Sequence, residues 1–99
     1  MKIWVDDVRP APEGYIWCKS VLRAMTRIRA AEETNKTIEL IDIDHDAGDY
    51  VFEGGDYIKL LDWLEETGRN YPIRIHSMNP VGVQNMRAII QRNGWKEVR

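Results

Sequence analysis

The chain has 99 residues and a formal net charge of −2, with 43% hydrophobic and 30% charged residues. This composition is ordinary for a globular protein with one core, so we predict a single domain over residues 1–99. The charge excludes the strongly basic character of a general nucleic-acid binder, and no apolar run reaches the ~20 residues of a membrane helix. Cys18 is the only cysteine, which excludes an intrachain disulfide. Because the first residues do not resemble a signal peptide, we expect a cytoplasmic protein.

The first half of the chain predicts two strands, a helix and a third strand. An apolar strand over about residues 2–6 is followed by a loop in which two prolines and a glycine exclude a helix. Residues 15–18 are aromatic and β-branched, as is typical of a strand. Ser20 then predicts the N-cap of a helix that runs to about Glu33, and the next strand covers about residues 38–44.

The second half continues the alternation of helix and strand. A glycine-rich loop at residues 47–55 leads to a helix that we expect Asp56 to cap. A strand over 72–76 precedes Asn79, which predicts the next N-cap because a proline follows it at the first helical position. Residues 95–98 are predicted to form a final edge strand.

Strands that alternate with helices indicate βαβ units and a mostly parallel sheet. The connection between the first two strands breaks the pattern because it has no room for a helix. We therefore predict an α/β fold, a flavodoxin-like three-layer sandwich with a short sheet, that lacks the first helix.

Carboxylates cluster at the ends of two predicted strands. Asp6 and Asp7 end the first strand, and Asp44 ends the strand over 38–44. The carboxyl ends of parallel strands meet at one edge of a sheet, where like charges repel one another unless a cation offsets them. Asp6, Asp7 and Asp44 are hard oxygen ligands, so we predict a divalent metal, Mg²⁺ or Mn²⁺. Alternatively, one acid of the Asp6–Asp7 pair caps a turn and the other is solvated.

A further acid, Asp42, lies inside a predicted central strand, where burial is costly without a partner. It either lies near the rim of the sheet or pairs with Lys2 or Arg74 on a neighbouring strand.

Two histidines lie at predicted strand ends. Histidine titrates near neutral pH, so His45 and His76 are candidate catalytic acids or bases, and Asp46 could orient a ring. The alternative is that they are surface or capping residues. Imidazole ligands would shift the metal preference toward Mn²⁺, Fe²⁺ or Zn²⁺.

A phosphate site is predicted beside these groups. Ser77 and Asn79 open a helix whose free N–H groups favour an anion, and Arg9 is a candidate phosphate clamp. The alternatives are a simple capping role for Asn79 and a solvated surface position for Arg9.

The acid pair Asp6–Asp7, the strand-ending Asp44 and Ser77 after the next strand resemble, in this order, the motifs of a response-regulator receiver domain. The resemblance implies metal binding by Asp6 and Asp7, phosphoacceptor chemistry at Asp44 and a phosphate contact from Ser77. The chain is more closely similar to the cyclic-phosphate processing receiver domains. Their pattern of Asp-Asp-x-Arg-x-x-Pro, Asp-His-Asp, Gly-Gly-Asp and a His-containing strand end before Asn is present at residues 6–12, 44–46, 54–56 and 76–79.

The second resemblance implies metal-dependent phosphoesterase chemistry on a cyclic phosphate or cyclic nucleotide. Two other hypotheses remain. One is a non-catalytic protein that sequesters a nucleotide, and the other is an atypical phosphoacceptor receiver, which the missing Lys-Pro motif of receivers disfavours. The expected partner is a phosphorylated small molecule or nucleotide, and a homo-oligomer is left open.

Overall fold

A five-stranded parallel sheet forms the centre of the computed structural model, which describes residues 1–99. The strands are β1 (Lys2–Val5), β2 (Tyr15–Cys18), β3 (Leu40–Ile43), β4 (Ile73–Ile75) and β5 (Glu97–Val98). Their order, β2-β1-β3-β4-β5, is the flavodoxin-like order of doubly wound sheets. The predicted receiver-like α/β sandwich is therefore confirmed.

Three helices follow β2, β3 and β4 in turn: α1 (Val21–Glu33), α2 (Ile58–Glu66) and α3 (Pro80–Asn93). Ser20 and Asn79 each accept a hydrogen bond from the main-chain N–H three residues further along, which confirms both predicted caps. The cap predicted for α2 is wrong, because Asp56 Oδ1 accepts from the Ala47 N–H and so closes the loop before the helix. None of the helices combines the length and apolar composition needed to cross a membrane.

The connection between β1 and β2, residues 6–14, contains no helix, as predicted. The loop folds back because Asp6 Oδ1 accepts hydrogen bonds from the main-chain N–H groups of Val8 and Arg9. The indole N–H of Trp4 then donates to the Arg9 carbonyl at 2.9 Å. Both ends of this first turn are thus tied to β1.

The two faces of the sheet differ in what covers them. Successive side chains of a strand point to opposite faces, so Ile3, Val5, Ile41 and Ile43 share one face. Buried side chains of all three helices join these residues in a single apolar core. On the other face, the register β1–β3–β4 places Trp4, Asp42 and Arg74 side by side. On this face the Trp4 indole bonds to the Arg9 carbonyl, so the 6–14 loop, rather than a helix, contacts the sheet there.

Candidate functional site

Three carboxylates converge at the carboxyl edge of the sheet. Asp6 and Asp7 follow β1 and Asp44 follows β3, and one oxygen from each lies within 4.8 Å of the others. Asp6 is fully buried, whereas Asp7 and Asp44 are half-buried. Three carboxylate oxygens at this spacing form a donor set that suits a hard divalent cation such as Mg²⁺ or Mn²⁺.

The negative charges of the three carboxylates lie close together and repel one another. Burial, followed by the charges of Asp6 and Asp44, raises the pKa of the Asp7 carboxyl above its ordinary value. Burial and the same acids also raise the pKa of Tyr57, which lies completely buried beneath the cluster. A cation at this point would remove the repulsion.

The loop after β3 lies directly against Asp7. A Cβ atom on Gly48 would come within 2.1 Å of Asp7 Oδ2, and the backbone there has a φ of +54°. Glycine is therefore required both for the left-handed backbone and for the close approach. Because the contact joins two loops far apart in the sequence, no local pattern could have revealed it.

Asp6 is held rigidly by its hydrogen bonds. Its Oδ1 accepts from the N–H groups of Val8 and Arg9, and its Oδ2 is 2.9 Å from His76 Nε2. Burial by itself would raise the pKa of Asp6, but the bonds from Arg9, Val8 and His76 hold that pKa below its ordinary value. One lone pair of Oδ2 is left for a further ligand.

His76 links Asp6 to a second buried acid. Its Nδ1 lies 2.6 Å from Asp42 Oδ1, and its ring stacks on Trp4 with the centroids 3.8 Å apart. The His76 side chain is only 9% exposed, so both ring nitrogens are occupied by carboxylates inside the protein. Asp42 also pairs with Arg74 at 3.1 Å, which confirms one of the two partners predicted for it. No pattern in the sequence predicts this link from Asp42 through His76 to Asp6, because the three residues come from three different segments.

His45 takes a different position, over the start of α3. Its ring packs so closely on Gly82 that a Cβ there would lie 2.5 Å from the ring carbons. Its Nδ1 is 2.9 Å from Asp46 Oδ1 and 3.4 Å from the Asn79 side-chain nitrogen. The Nε2 atom makes no hydrogen bond within the protein, and the side chain is 15% exposed. His45 is thus fixed in place with one nitrogen free.

The candidate phosphate ligands lie in two loops around the acids. Ser77 Oγ accepts from the Asn79 N–H, so its own proton is available to a ligand. Asn79 uses its side-chain carbonyl oxygen to cap α3, which leaves its side-chain NH₂ group to donate to a ligand. The exposed Arg9 side chain has no ion pair or hydrogen bond, although its main chain is tied at both N–H and C=O.

The sequence of the chain matches the profile of the cyclic-phosphate processing receiver domain over residues 1–92. The chain belongs to this family. The predicted resemblance is confirmed, and it connects the domain with cyclic-phosphate processing. No curated protein and no solved structure matches the chain.

The motifs of this receiver domain have different positions in the fold. Asp6 and Asp7 of the 6–12 segment and Asp44 of the 44–46 segment form the carboxylate cluster. His76 of the 76–79 segment contacts Asp6. The Gly-Gly-Asp segment instead closes the loop between β3 and α2, since a Cβ on Gly54 would lie 2.8 Å from Val21 and Asp56 bonds back to Ala47.

Proposed function

We propose that this receiver domain is a metal-dependent phosphoesterase that hydrolyses a cyclic phosphate or cyclic nucleotide. The observation that supports it best is the combination of the Asp6–Asp7–Asp44 cluster with His45, which follows Asp44 directly and has a free Nε2. Three carboxylates alone would repel a phosphate. A cation and a proton carrier convert this edge into a place where a phosphodiester can be bound and cleaved.

Asp6, Asp7 and Asp44 would hold the metal. Mg²⁺ or Mn²⁺ would supply positive charge that offsets the phosphate oxygens and stabilises the charge that develops on them. The raised pKa of Asp7 supports this assignment, because a carboxyl that is crowded by like charge gains most from a bound cation.

His45 would move the proton. With its Nδ1–H donated to Asp46, a neutral ring presents the lone pair of Nε2. That nitrogen would take a proton from the attacking water as the new P–O bond forms. The same proton would then pass from His45 to the ester oxygen of the substrate that leaves as the cyclic P–O bond breaks. The products would be a phosphomonoester and an alcohol.

His76 would act through Asp6. Its two nitrogens contact Asp6 and Asp42, and its side chain is too enclosed to reach a substrate. We assign it a positioning role: it fixes Oδ2 of Asp6, so that the remaining lone pair faces the cluster.

Arg9, Ser77 and Asn79 would bind the phosphate. The unpaired guanidinium of Arg9 supplies charge, and the Ser77 hydroxyl and Asn79 amide supply donors beside the first turn of α3.

The test is a turnover assay with 2′,3′-cyclic, 3′,5′-cyclic and cyclic dinucleotide phosphates in the presence of Mg²⁺ or Mn²⁺. Hydrolysis should be abolished by Asp44→Asn and by a chelator. It should be retained in Asp62→Asn, which removes an acid from α2 outside the cluster. Turnover that survives both Asp44→Asn and the chelator would refute the proposal.

The other hypotheses are separate outcomes of the same experiment. Tight binding with the nucleotide recovered intact would identify a sequestering protein. Labelling of the wild type by a phosphoryl donor, lost in Asp44→Ala, would identify a phosphoacceptor.

A further inference from the structure

Large apolar side chains are exposed at only one end of the molecule. They lie in the loops after β1, β3 and β4 or in the first turns of α1 and α3, at the edge that carries the carboxylates. The residues are Val8, Leu22, Val51, Phe52, Met78 and Val81. Exposed apolar surface concentrated in one place indicates a binding surface.

Within this surface, Phe52 and Tyr50 form an aromatic pair. Their ring centroids are 6.4 Å apart with an interplanar angle of 20°, and Phe52 is 75% exposed. A free ring face of this kind can stack against another planar aromatic group.

The aromatic pair is anchored on both sides. Its loop starts at Gly48, which touches Asp7, so Tyr50 follows two residues after a contact with the carboxylate cluster. At the other end, the Leu22 N–H donates to the Glu53 carbonyl at 3.1 Å, and the Glu53 side chain pairs with Arg23. The loop that carries the two rings is therefore held by fixed contacts to Asp7 of the cluster and to the start of α1.

One cation beside the aromatic pair has no carboxylate partner. Lys19 Nζ lies 5.8 Å from the Tyr50 ring and 4.5 Å from the Trp17 ring, and no carboxylate pairs with it. Arg23 also lies over Tyr50, at 5.0 Å, but Glu53 neutralises it. Lys19 is thus the unpaired cation beside the aromatic surface.

We infer that Phe52 and Tyr50 form a subsite for the nucleobase of the substrate, so that Phe52 determines specificity for a cyclic nucleotide over a cyclic phosphate without a base. The inference rests on the proposed phosphoesterase function. The base stacks on the free face of Phe52 while its phosphate occupies the carboxylate edge, and Lys19 attracts the anionic ligand.

The test compares adenosine 2′,3′-cyclic phosphate with propane-1,2-diol cyclic phosphate, which has the same reacting ring and no base. In Phe52→Ala, kcat/KM for the nucleotide should fall about 10-fold, the size expected for one lost base stack. The value for the base-free substrate should not change. Phe52→Trp should restore the nucleotide rate. Lys36→Ala, which removes an exposed side chain between α1 and β3 at the opposite edge of the sheet, should alter neither substrate.

Equal losses on both substrates in Phe52→Ala, or no loss on either, would overturn the subsite while the phosphoesterase remains. If the wild type hydrolyses neither substrate, equilibrium dialysis with adenosine 2′-monophosphate decides the subsite. The proposed function fails if the 3′,5′-cyclic and cyclic dinucleotide phosphates are also left intact. About 10-fold weaker binding by Phe52→Ala supports the subsite. Equal binding by both proteins, or no binding by the wild type, overturns it.

Discussion

Gly48→Ala tests whether the contact between Gly48 and Asp7 sets the geometry of the carboxylate cluster. The new Cβ would lie 2.1 Å from Asp7 Oδ2 and 3.2 Å from Asp7 Cγ, distances at which the loop or the carboxylate has to move. A displacement of about 1.3 Å is needed to restore ordinary contact, and it takes the oxygen away from Asp6 and Asp44. Displacing a ligand through the residue that positions it should weaken metal binding about 10- to 100-fold.

The substitution also places alanine in a left-handed backbone conformation, which costs about 1–2 kcal/mol of stability. Gly68→Ala is the matched control, because Gly68 has a φ of +67° against +54° for Gly48 and no atom within 4 Å of its ideal Cβ position. Urea unfolding should therefore show a backbone cost in both variants. Titration calorimetry with Mn²⁺ should show a loss of affinity in Gly48→Ala alone.

Equal Mn²⁺ affinity in the wild type and both variants would refute the role of Asp7 as a ligand. No Mn²⁺ binding by the wild type would refute the metal site itself.

Two further predictions concern the buried acids. Asp42→Asn should lower the free energy of unfolding by about 3 kcal/mol, because it breaks a buried ionic network and removes one of the two carboxylate partners of His76. Glu65 forms an exposed ion pair with Arg92, so Glu65→Gln should lower the urea midpoint far less than Asp42→Asn does. Equal effects of the two substitutions would contradict the prediction. Because the pKa of Asp7 is raised in the folded state, its proton is held more tightly there than in the unfolded chain, so stability falls as pH rises through the raised value. In chelator, Asp7→Asn should therefore raise the urea midpoint near pH 7 but not near pH 3, and a gain of the same size at both would count against it.

Local signals in the sequence were sufficient for most of the fold. Ser20 and Asn79 cap their helices because a short polar side chain before an apolar helical repeat satisfies a free N–H. The prolines of the 6–14 segment exclude a helix for an equally local reason. Asp56 was misassigned because its sequence position suits a cap, whereas its carboxylate binds a main-chain N–H nine residues earlier.

The histidines show where local reasoning is insufficient. Both end predicted strands, so the sequence assigned both of them proton transfer. The structure places His76 between two carboxylates on a stacked tryptophan, and it leaves the Nε2 of His45 without a partner. Their difference comes from neighbours on other strands, which a single sequence does not reveal.

Sequence by itself determined the α/β alternation, the missing first helix, the family and the acids at the carboxyl edge, since these depend on short-range patterns and on parallel strands ending together. Only the tertiary structure decided that Asp42, His76 and Asp6 form one buried chain and that Gly48 and Gly82 give room to Asp7 and His45. Those features depend on register and on contacts between distant loops. They arise when the sheet brings separate segments to within a few ångströms.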